Sequence, residues 1–276
     1  MLNHAKLRSA PGHGVLTLLC LLTVFPMLWA VLTSLKPVNE IFTLDLVTTN
    51  ATLANYAEVY RAVPFLRMML NTLIVATVMM LLTLALSIAV AYAITRWEFP
   101  GKRLVYLAFA GSLLIPFQVT MIPNYLLIAR LGWLNTLPGL IVPQLGSTIG
   151  VGLGVLILRQ HFIGFPKSLL DAAAIDGAGP IRTLWSVLLP NMRPALAAVS
   201  ILIFLQAWNE YFWPLLVTKK MDDTMIQVGL QLFLQAEGNA WGPLMAAATM
   251  SAVPVFALYF LAQRQIMDAF VRSGIR

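Results

Sequence analysis

The stretch DAAAIDGAGPIRTLWSVLLP, from Asp171 to Pro190, lies between two apolar runs that are each long enough to cross a bilayer. Its local chemistry predicts two short helices joined by a bend. Pro166 suits a first helical turn, where its missing N–H costs nothing. Good helix formers fill Leu169 to Asp176, and Gly177 can take the left-handed conformation that ends a helix. Pro180 opens the second helix, in which Ile181, Leu184, Trp185 and Leu188 recur at i, i+3, i+4 and i+7 and predict one apolar face. Pro190 and Pro194 stop it. Such a segment has two uses: a hairpin lying on lipid, or a rigid face for a partner's groove. The combined spacing of Asp171, Ala172, Ala173, Gly177, Val187, Leu189 and Pro190 favours the second.

Composition gives the class of the whole chain. Hydrophobic residues make up 59% and charged residues 11%, with a mean hydropathy of +0.82. A soluble globule carries about 25% charged residues. Apolar runs predict an all-α integral membrane protein with six transmembrane helices, at about 14–35, 68–94, 104–129, 139–160, 195–217 and 243–263. The first run follows Lys6 and Arg8, as a signal peptide would, but Val15 to Leu35 exceeds an h-region of about 7–15 residues and is expected to be retained. Cys20, the single cysteine, lies inside it, which excludes an intrachain disulfide.

The net charge of +7 is explained by topology rather than by nucleic-acid binding. With the N-terminus in the cytoplasm, twelve of the 18 basic residues fall inside and six outside (Lys36, Arg61, Arg67, Arg130, Lys219, Lys220). That satisfies the positive-inside rule. The expected organisation is a cytoplasmic N-terminus at 1–13, a six-helix membrane domain at 14–263 with a cytoplasmic loop at 161–194, and a cytoplasmic tail at 264–276. The outer segment Lys36–Arg67 is expected to form a small cap, with short helices around Asn55–Tyr60.

No phosphate loop of the form G-x-x-x-x-G-K-[ST] occurs, nor G-x-S-x-G or H-E-x-x-H. His4, His13 and His161 have no metal-ligand spacing, so no metal site, cofactor or catalytic residue is expected in this chain. Polar groups inside the spans carry more information, because they are costly there. Gln118 and Asn124 lie in span three beside Pro116 and Pro123, which can loosen that helix, and span five carries Gln206, Trp208, Asn209, Glu210, Tyr211 and Trp213. Gln118, Asn124, Trp208, Asn209, Glu210 and Tyr211 are candidates for a hydrophilic path, with a tryptophan stacking on a ring. The alternative is interhelical hydrogen bonding with interfacial aromatics, and both stay open for Asn209 and Glu210. Gly146, Gly150 and Gly154 repeat every four residues and predict a close-packing face.

The Asp171–Pro190 spacing resembles the "EAA" coupling loop of membrane subunits of bacterial ATP-binding-cassette (ABC) importers, most of all in the carbohydrate-uptake branch. Asn55-Tyr56, Asn71, Phe99-Pro100-Gly101-Lys102 and Trp208-Asn209-Glu210 are similar to positions in maltose-type and sn-glycerol-3-phosphate-type permeases, and Gln231 to Met245 is most similar to the latter. Asp171 stands where the family usually has Glu, and Val187 where Ile is usual. The resemblance implies the type I importer permease fold in the bacterial inner membrane, with both termini cytoplasmic. It implies an ATPase-coupling role for Asp171, Ala172, Ala173, Asp176, Gly177, Leu184, Leu189 and Pro190. It also implies three partners: a second permease subunit, an ABC ATPase dimer holding ATP and Mg, and an extracytoplasmic solute-binding protein. The outer loop Thr218–Trp241 is expected to reach that binding protein through Gln235, Glu237, Gly238 and Asn239, the alternative being a connector that caps the bundle. The implied cargo is an oligosaccharide, or glycerol-3-phosphate or its diesters. Two other classes stand against this: an ion-driven secondary transporter, opposed by a single intramembrane acid and no visible repeat, and a membrane scaffold, which would not need the loop's spacing.

Overall fold

Helix dominates the computed structural model, and there is no strand among the residues it describes, 2–43, 45–145, 150–234 and 240–274. The helices are α1 (Leu2–Ser34), α2 (Ala54–Ala62), α3 (Phe65–Arg96), α4 (Lys102–Ser112), α5 (Phe117–Arg130), α6 (Leu137–Leu145), α7 (Val151–Ile163), α8 (Lys167–Ile175), α9 (Pro180–Thr183), α10 (Leu189–Asn191), α11 (Arg193–Trp208), α12 (Phe212–Val217), α13 (Ile226–Gln231) and α14 (Trp241–Gly274). Among the described residues, three stretches are long and apolar enough to cross a membrane unbroken: Gly12–Ser34 of α1, all of α3, and Trp241–Arg264 of α14. None of the most apolar window of α1 is buried by the chain itself. A surface of that kind requires lipid or another protein against it.

Spans three, four and five are not the continuous rods the apolar runs predict. The α4–α5 pair bends by 97°. Pro116 sits at the bend: it is extended (ψ 136°), lacks an N–H, and disfavours helical geometry at the residue before it, so α4 does not run on into α5. Pro123, by contrast, sits inside α5 without ending it. Span four divides into α6 and α7. The 13 residues of α7 reach only about 20 Å at 1.5 Å per residue, short of a hydrocarbon core of about 30 Å. Span five stops at Trp208 and restarts at Phe212. Counting each bent pair the structure marks (α4–α5, and Pro180–Asn191 with α11) as one span gives up to five.

The chain divides into two compact units. In the unit formed by residues 67–228 and 254–276, Val75, Ala76 and Met79 of α3 pack with Ile128, Leu140, Phe204, Trp208 and Trp213. The fully buried Trp213 donates its indole N–H to the Gly139 carbonyl at 3.0 Å and meets Phe117 edge-on. Ser87 of α3 lies directly against Gly154 of α7, where a Cβ would collide with it. Close packing is therefore the role of Gly154, as its spacing predicts, while Gly146 lies outside the described residues.

In the other unit, residues 1–66 and 229–253, α2 is the short helix expected around Asn55–Tyr60. Its buried Asn55 donates from Nδ2 to the carbonyls of Ser34 and Lys36, both at 2.8 Å, and occupies the space left by Gly242. Lys36 is only 1% exposed. Its Nζ donates to the Thr43 carbonyl at 3.2 Å and lies 5.4 Å from the Trp29 ring centroid. Nearby, hydrogen bonds from Thr48 and Asn50 hold the Glu40 carboxyl below its ordinary range.

Candidate functional site

The Asp171–Pro190 loop has the two-helix form its residues dictate. Gly177 adopts φ +71°, and helix α8 ends in a Schellman motif around it. The Ala178 N–H bonds the Ala173 carbonyl at 2.9 Å, and the Gly177 N–H bonds Ala174 at 3.1 Å. Gly179 is extended and Pro180 takes the first position of α9. A π-helical turn, Leu184–Leu188, follows, with the Leu189 N–H bonding Leu184 five residues back. Pro190 has no N–H to offer the Ser186 carbonyl, which favours this shift of the ladder.

The predicted stripe divides in two. Leu184 and Leu188 do not face outward: with Leu189 they are buried among Tyr92, Leu158, Phe162 and Ile203. The π-turn adds a residue to the local repeat and turns Leu188 to the buried side that Thr183 and Leu184 already occupy. Left outside are Ile181 (73% exposed) and Trp185 (66%), joined by Ile175 of α8 (86%). Among the expected coupling residues, Asp171, Ala172, Asp176, Gly177 and Pro190 are exposed, whereas Ala173, Leu184 and Leu189 are buried anchors. Tyr92 was not foreseen. Its hydroxyl donates to the Pro180 carbonyl at 2.8 Å, and its ring meets Phe162 and Trp97 edge-on, tying α3 and α7 to the start of α9. A polar-tipped aromatic one turn before Arg96 is the only sequence signal for it.

Where α4 breaks into α5, a cavity of about 310 Å³ opens, lined by Gln118, Gln144, Gln206, Glu210, Phe117 and Phe212 among others. The structure therefore unites Gln118 and Glu210, as the polar-path reading expects, and adds Gln144 and Gln206. Gln144 is 6% exposed and has no hydrogen bond within the described residues. It went unnoticed because a lone amide near Pro143 in an apolar run carries no periodic signal. Glu210 Oε1 accepts the Trp213 N–H at 3.1 Å, a local cap on α12 rather than a bond between spans, while the side chain borders the cavity. Asn124, Trp208, Asn209 and Tyr211 are not among the lining residues. Trp208 is 2% exposed and stacked on Phe204, so in this conformation its face is not open to a solute. Asn209 donates to the Leu205 carbonyl at 2.7 Å, which satisfies the helix end. Tyr211 sits edge-on to Phe212.

The start of the outer loop is pinned to α3. Asn71 donates from Nδ2 to Asp222 and Thr224 carbonyls at 2.8 and 3.0 Å, and Thr72 Oγ1 accepts the Ile226 N–H at 2.8 Å. Gln235, Glu237, Gly238 and Asn239 lie outside the described residues.

Broken apolar helices, an exposed loop anchored in the core and a polar cavity beside the breaks define a membrane transport subunit. Residues 52–270 match the family of binding-protein-dependent transport system inner membrane components, and the chain belongs to that family. It is 32% identical over 260 residues to an arabinooligosaccharide transport system permease protein of Halalkalibacterium halodurans, covering 92% of each chain. It is also 32% identical over 264 residues to a trehalose/maltose transport system permease protein of Thermococcus litoralis, covering 94% of each. An sn-glycerol-3-phosphate transport system permease protein of Yersinia enterocolitica is 28% identical over 271 residues, with 95% of each chain covered. The fold is shared with a chain in the crystal structure of a bacterial ABC transporter involved in import of the acidic polysaccharide alginate, at a TM-score of 0.79 and 21% identity, covering 95% of this chain and 97% of that one. The relatives are permeases rather than enzymes, so the chain is a transport subunit with no catalytic role of its own.

Proposed function

We propose that the chain is one of two permease subunits of an ATP-driven importer for a carbohydrate or sugar-like solute, and that Asp171–Pro190 is where a separate ATPase docks. The exposed Ile175, Ile181 and Trp185 on a loop whose other side is buried carry this reading. An apolar face of this kind fits a groove. Its buried anchors, Leu184, Leu188 and Leu189, together with the Tyr92 clamp, make the loop one body with α3, α7 and α11. Movement of an ATPase surface would then move membrane helices rather than bend a tether. ATP and Mg belong to the partner, and this chain holds no cofactor.

The rest of the assembly follows from the same reading. Six spans, three of them broken, put both termini and the loop in the cytoplasm. The solute-binding protein approaches Thr218–Trp241 from the opposite side, with Gln235, Glu237, Gly238 and Asn239 as its contacts. Solute passes the cavity wall of Gln118, Gln144, Gln206 and Glu210. Names of relatives that carry arabinooligosaccharides, trehalose or maltose support an oligosaccharide cargo. Replacing Ile181 and Trp185 together by Glu tests the docking surface. The ATPase should be lost on affinity purification through this chain, while the two permease subunits still copurify. Retention of the ATPase at the parental ratio would overturn the assignment.

A further inference from the structure

An apolar groove of about 400 Å³ runs between α3, α4 and α7, lined by Leu86 and Val90, by Ala108 and Phe109, and by Val151 and Gly152. The one hydroxyl on its wall, Ser112 Oγ, already donates to the Phe109 carbonyl at 2.8 Å, so the groove presents no free side-chain donor. Followed toward the Asp171–Pro190 loop, all three faces change character. Trp97 follows Val90 by seven residues, Lys102 precedes Phe109 by seven, and Arg159 follows Gly152 by seven. Seven residues are two helical turns, about 10 Å, so these side chains continue the groove's own faces at one end. The helical ladder reaches Trp97, whose N–H bonds the Ala93 carbonyl at 3.2 Å. The end of the groove is therefore basic and aromatic, and its length is apolar.

Arg159 decides what fits there. Its guanidinium lies over the Tyr106 ring, 4.3 Å from the centroid, and Tyr106 packs in one cluster with Val90, Phe109 and Val151 of the groove. The Arg159 Nε is buried without a partner, and the residue makes no hydrogen bond or ion pair among the described residues. A guanidinium carries five N–H donors, and stacking on a ring uses none of them. An arginine in an apolar helix is normally paired. Phosphate fits it, because one phosphate takes two N–H groups of a guanidinium side by side. Lys102 adds a second cation in the first turn of α4, where the helix dipole also favours an anion. Its pair with Glu98, at 2.7 Å, is an exposed one with the Glu98 side chain 90% open, and contributes little. A basic end on an apolar cleft between spans is the form that holds a lipid headgroup together with its chain. We infer that this groove binds an anionic phospholipid, with an acyl chain along Val90, Ala108 and Phe109 and the phosphate on Arg159 and Lys102. The lipid belongs to the leaflet on the side of the Asp171–Pro190 loop. Leu158 and Phe162, which flank Arg159 on α7, are part of the cluster that anchors that loop, so the lipid braces the helix to which the loop is fixed. That this leaflet is the cytoplasmic one rests on the orientation proposed above; the binding site does not.

Photo-cross-linking tests it in the assembled transporter. Phosphatidylglycerol and phosphatidylcholine, each carrying the same photoactivatable acyl chain, are placed at equal mole fraction in nanodiscs holding the complex. Adducts on residues 104–112 are counted by mass after irradiation. Both leaflets carry the probes, so the count depends neither on orientation nor on where the ATPase docks. Phosphatidylglycerol adducts should exceed phosphatidylcholine adducts by about fivefold or more. Arg159→Gln should bring that ratio to within about twofold of unity, whereas Arg159→Lys, which keeps the charge, should hold it above about threefold. Equal adducts in the parent, a ratio that Arg159→Gln leaves alone, or a ratio that Arg159→Lys loses equally would overturn the headgroup site. Ala108→Trp fills the groove from the exposed side of α4 and should remove the adducts of both lipids, which keeps the proposal testable if Arg159→Gln does not assemble. Adducts that persist in Ala108→Trp, or the absence of adducts from either lipid in the parent, would overturn the groove as the seat of the chain.

Discussion

In the Asp171–Pro190 loop the chain folds on near neighbours, whereas the cavity wall gathers Gln118 from α5, Gln144 from α6, Gln206 from α11 and Glu210 from the α11–α12 break. The loop turns apolar side chains outward and keeps its fixed shape through backbone hydrogen bonds. The cavity turns polar side chains inward, with Glu210 hydrogen-bonded through one carboxylate oxygen and no bond to Gln144 among the described residues. Under the proposed function, the first surface is the one a partner protein grips and the second the one a solute passes. A transport subunit needs both properties, held at different places in one framework.

That contrast can be broken first at the loop's anchors. Leu188→Ala removes a fully buried side chain from the cluster around Tyr92 and Phe162, and should lower stability by about 2–5 kcal/mol. Thermal unfolding of the purified complex in detergent measures it. Ile181→Ala, on the exposed side of the same turn, should change stability by less than about 0.5 kcal/mol yet weaken retention of the ATPase. Equal losses of stability at both positions would mean that the loop has no free face.

Gly177→Val comes next. A β-branched residue at φ +71° costs roughly 1–2 kcal/mol, enough to prefer another turn. The subunit should still insert, because a side chain on Gly177 meets no neighbouring atom, but the ATPase should no longer copurify. Gly177→Asn, which tolerates the left-handed region, should restore much of the binding. No difference between Val and Asn would remove the bend from the account.

On the cavity side the expected stability effects are smaller and of opposite sense. Gln144→Leu exchanges a cavity-bordering amide with no hydrogen bond among the described residues for an apolar group of similar length, so unfolding should be unchanged or slightly raised in temperature. Solute uptake into proteoliposomes should nonetheless fall. A clear drop in stability would make Gln144 a packing residue. The smallest effect lies at Glu40. Its folded value is lowered, so its contribution is complete above the ordinary 4.5 and is lost as pH falls below that through the folded value. Hydrogen exchange over residues 38–43, corrected for intrinsic rates, should rise below that pH in the parent and stay flat in Glu40→Gln.

The two regions also differ in how far they could be read from the chain. Gly177, Pro166 and Pro180 act on their immediate neighbours, so the helix–bend–helix form was legible without a structure. The π-turn was not, because Pro190 disturbs the ladder by a shift that periodicity arguments assume away; hence Leu188 turns from the predicted stripe to the core, beside Leu184. Hydropathy found the apolar runs but not their breaks at Pro116 and Asn209, since a bent helix and a straight one have the same composition. Gln144 and Tyr92 gain their meaning only from residues far along the chain, Glu210 and Pro180, and no local pattern records that.

Site-directed cross-linking tests the coupling claim most directly. Ala174→Cys places a thiol on the exposed side of α8, beside Ile175, in a chain whose Cys20 has been changed to Ser. A photoactivatable benzophenone reagent attached to that thiol, which inserts into C–H bonds of whatever lies beside it, should join this chain to the ATPase in the assembled transporter, with a yield that changes when ATP is added. A cross-link that forms only to the other permease or to the binding protein, with the ATPase present and active, would contradict the account.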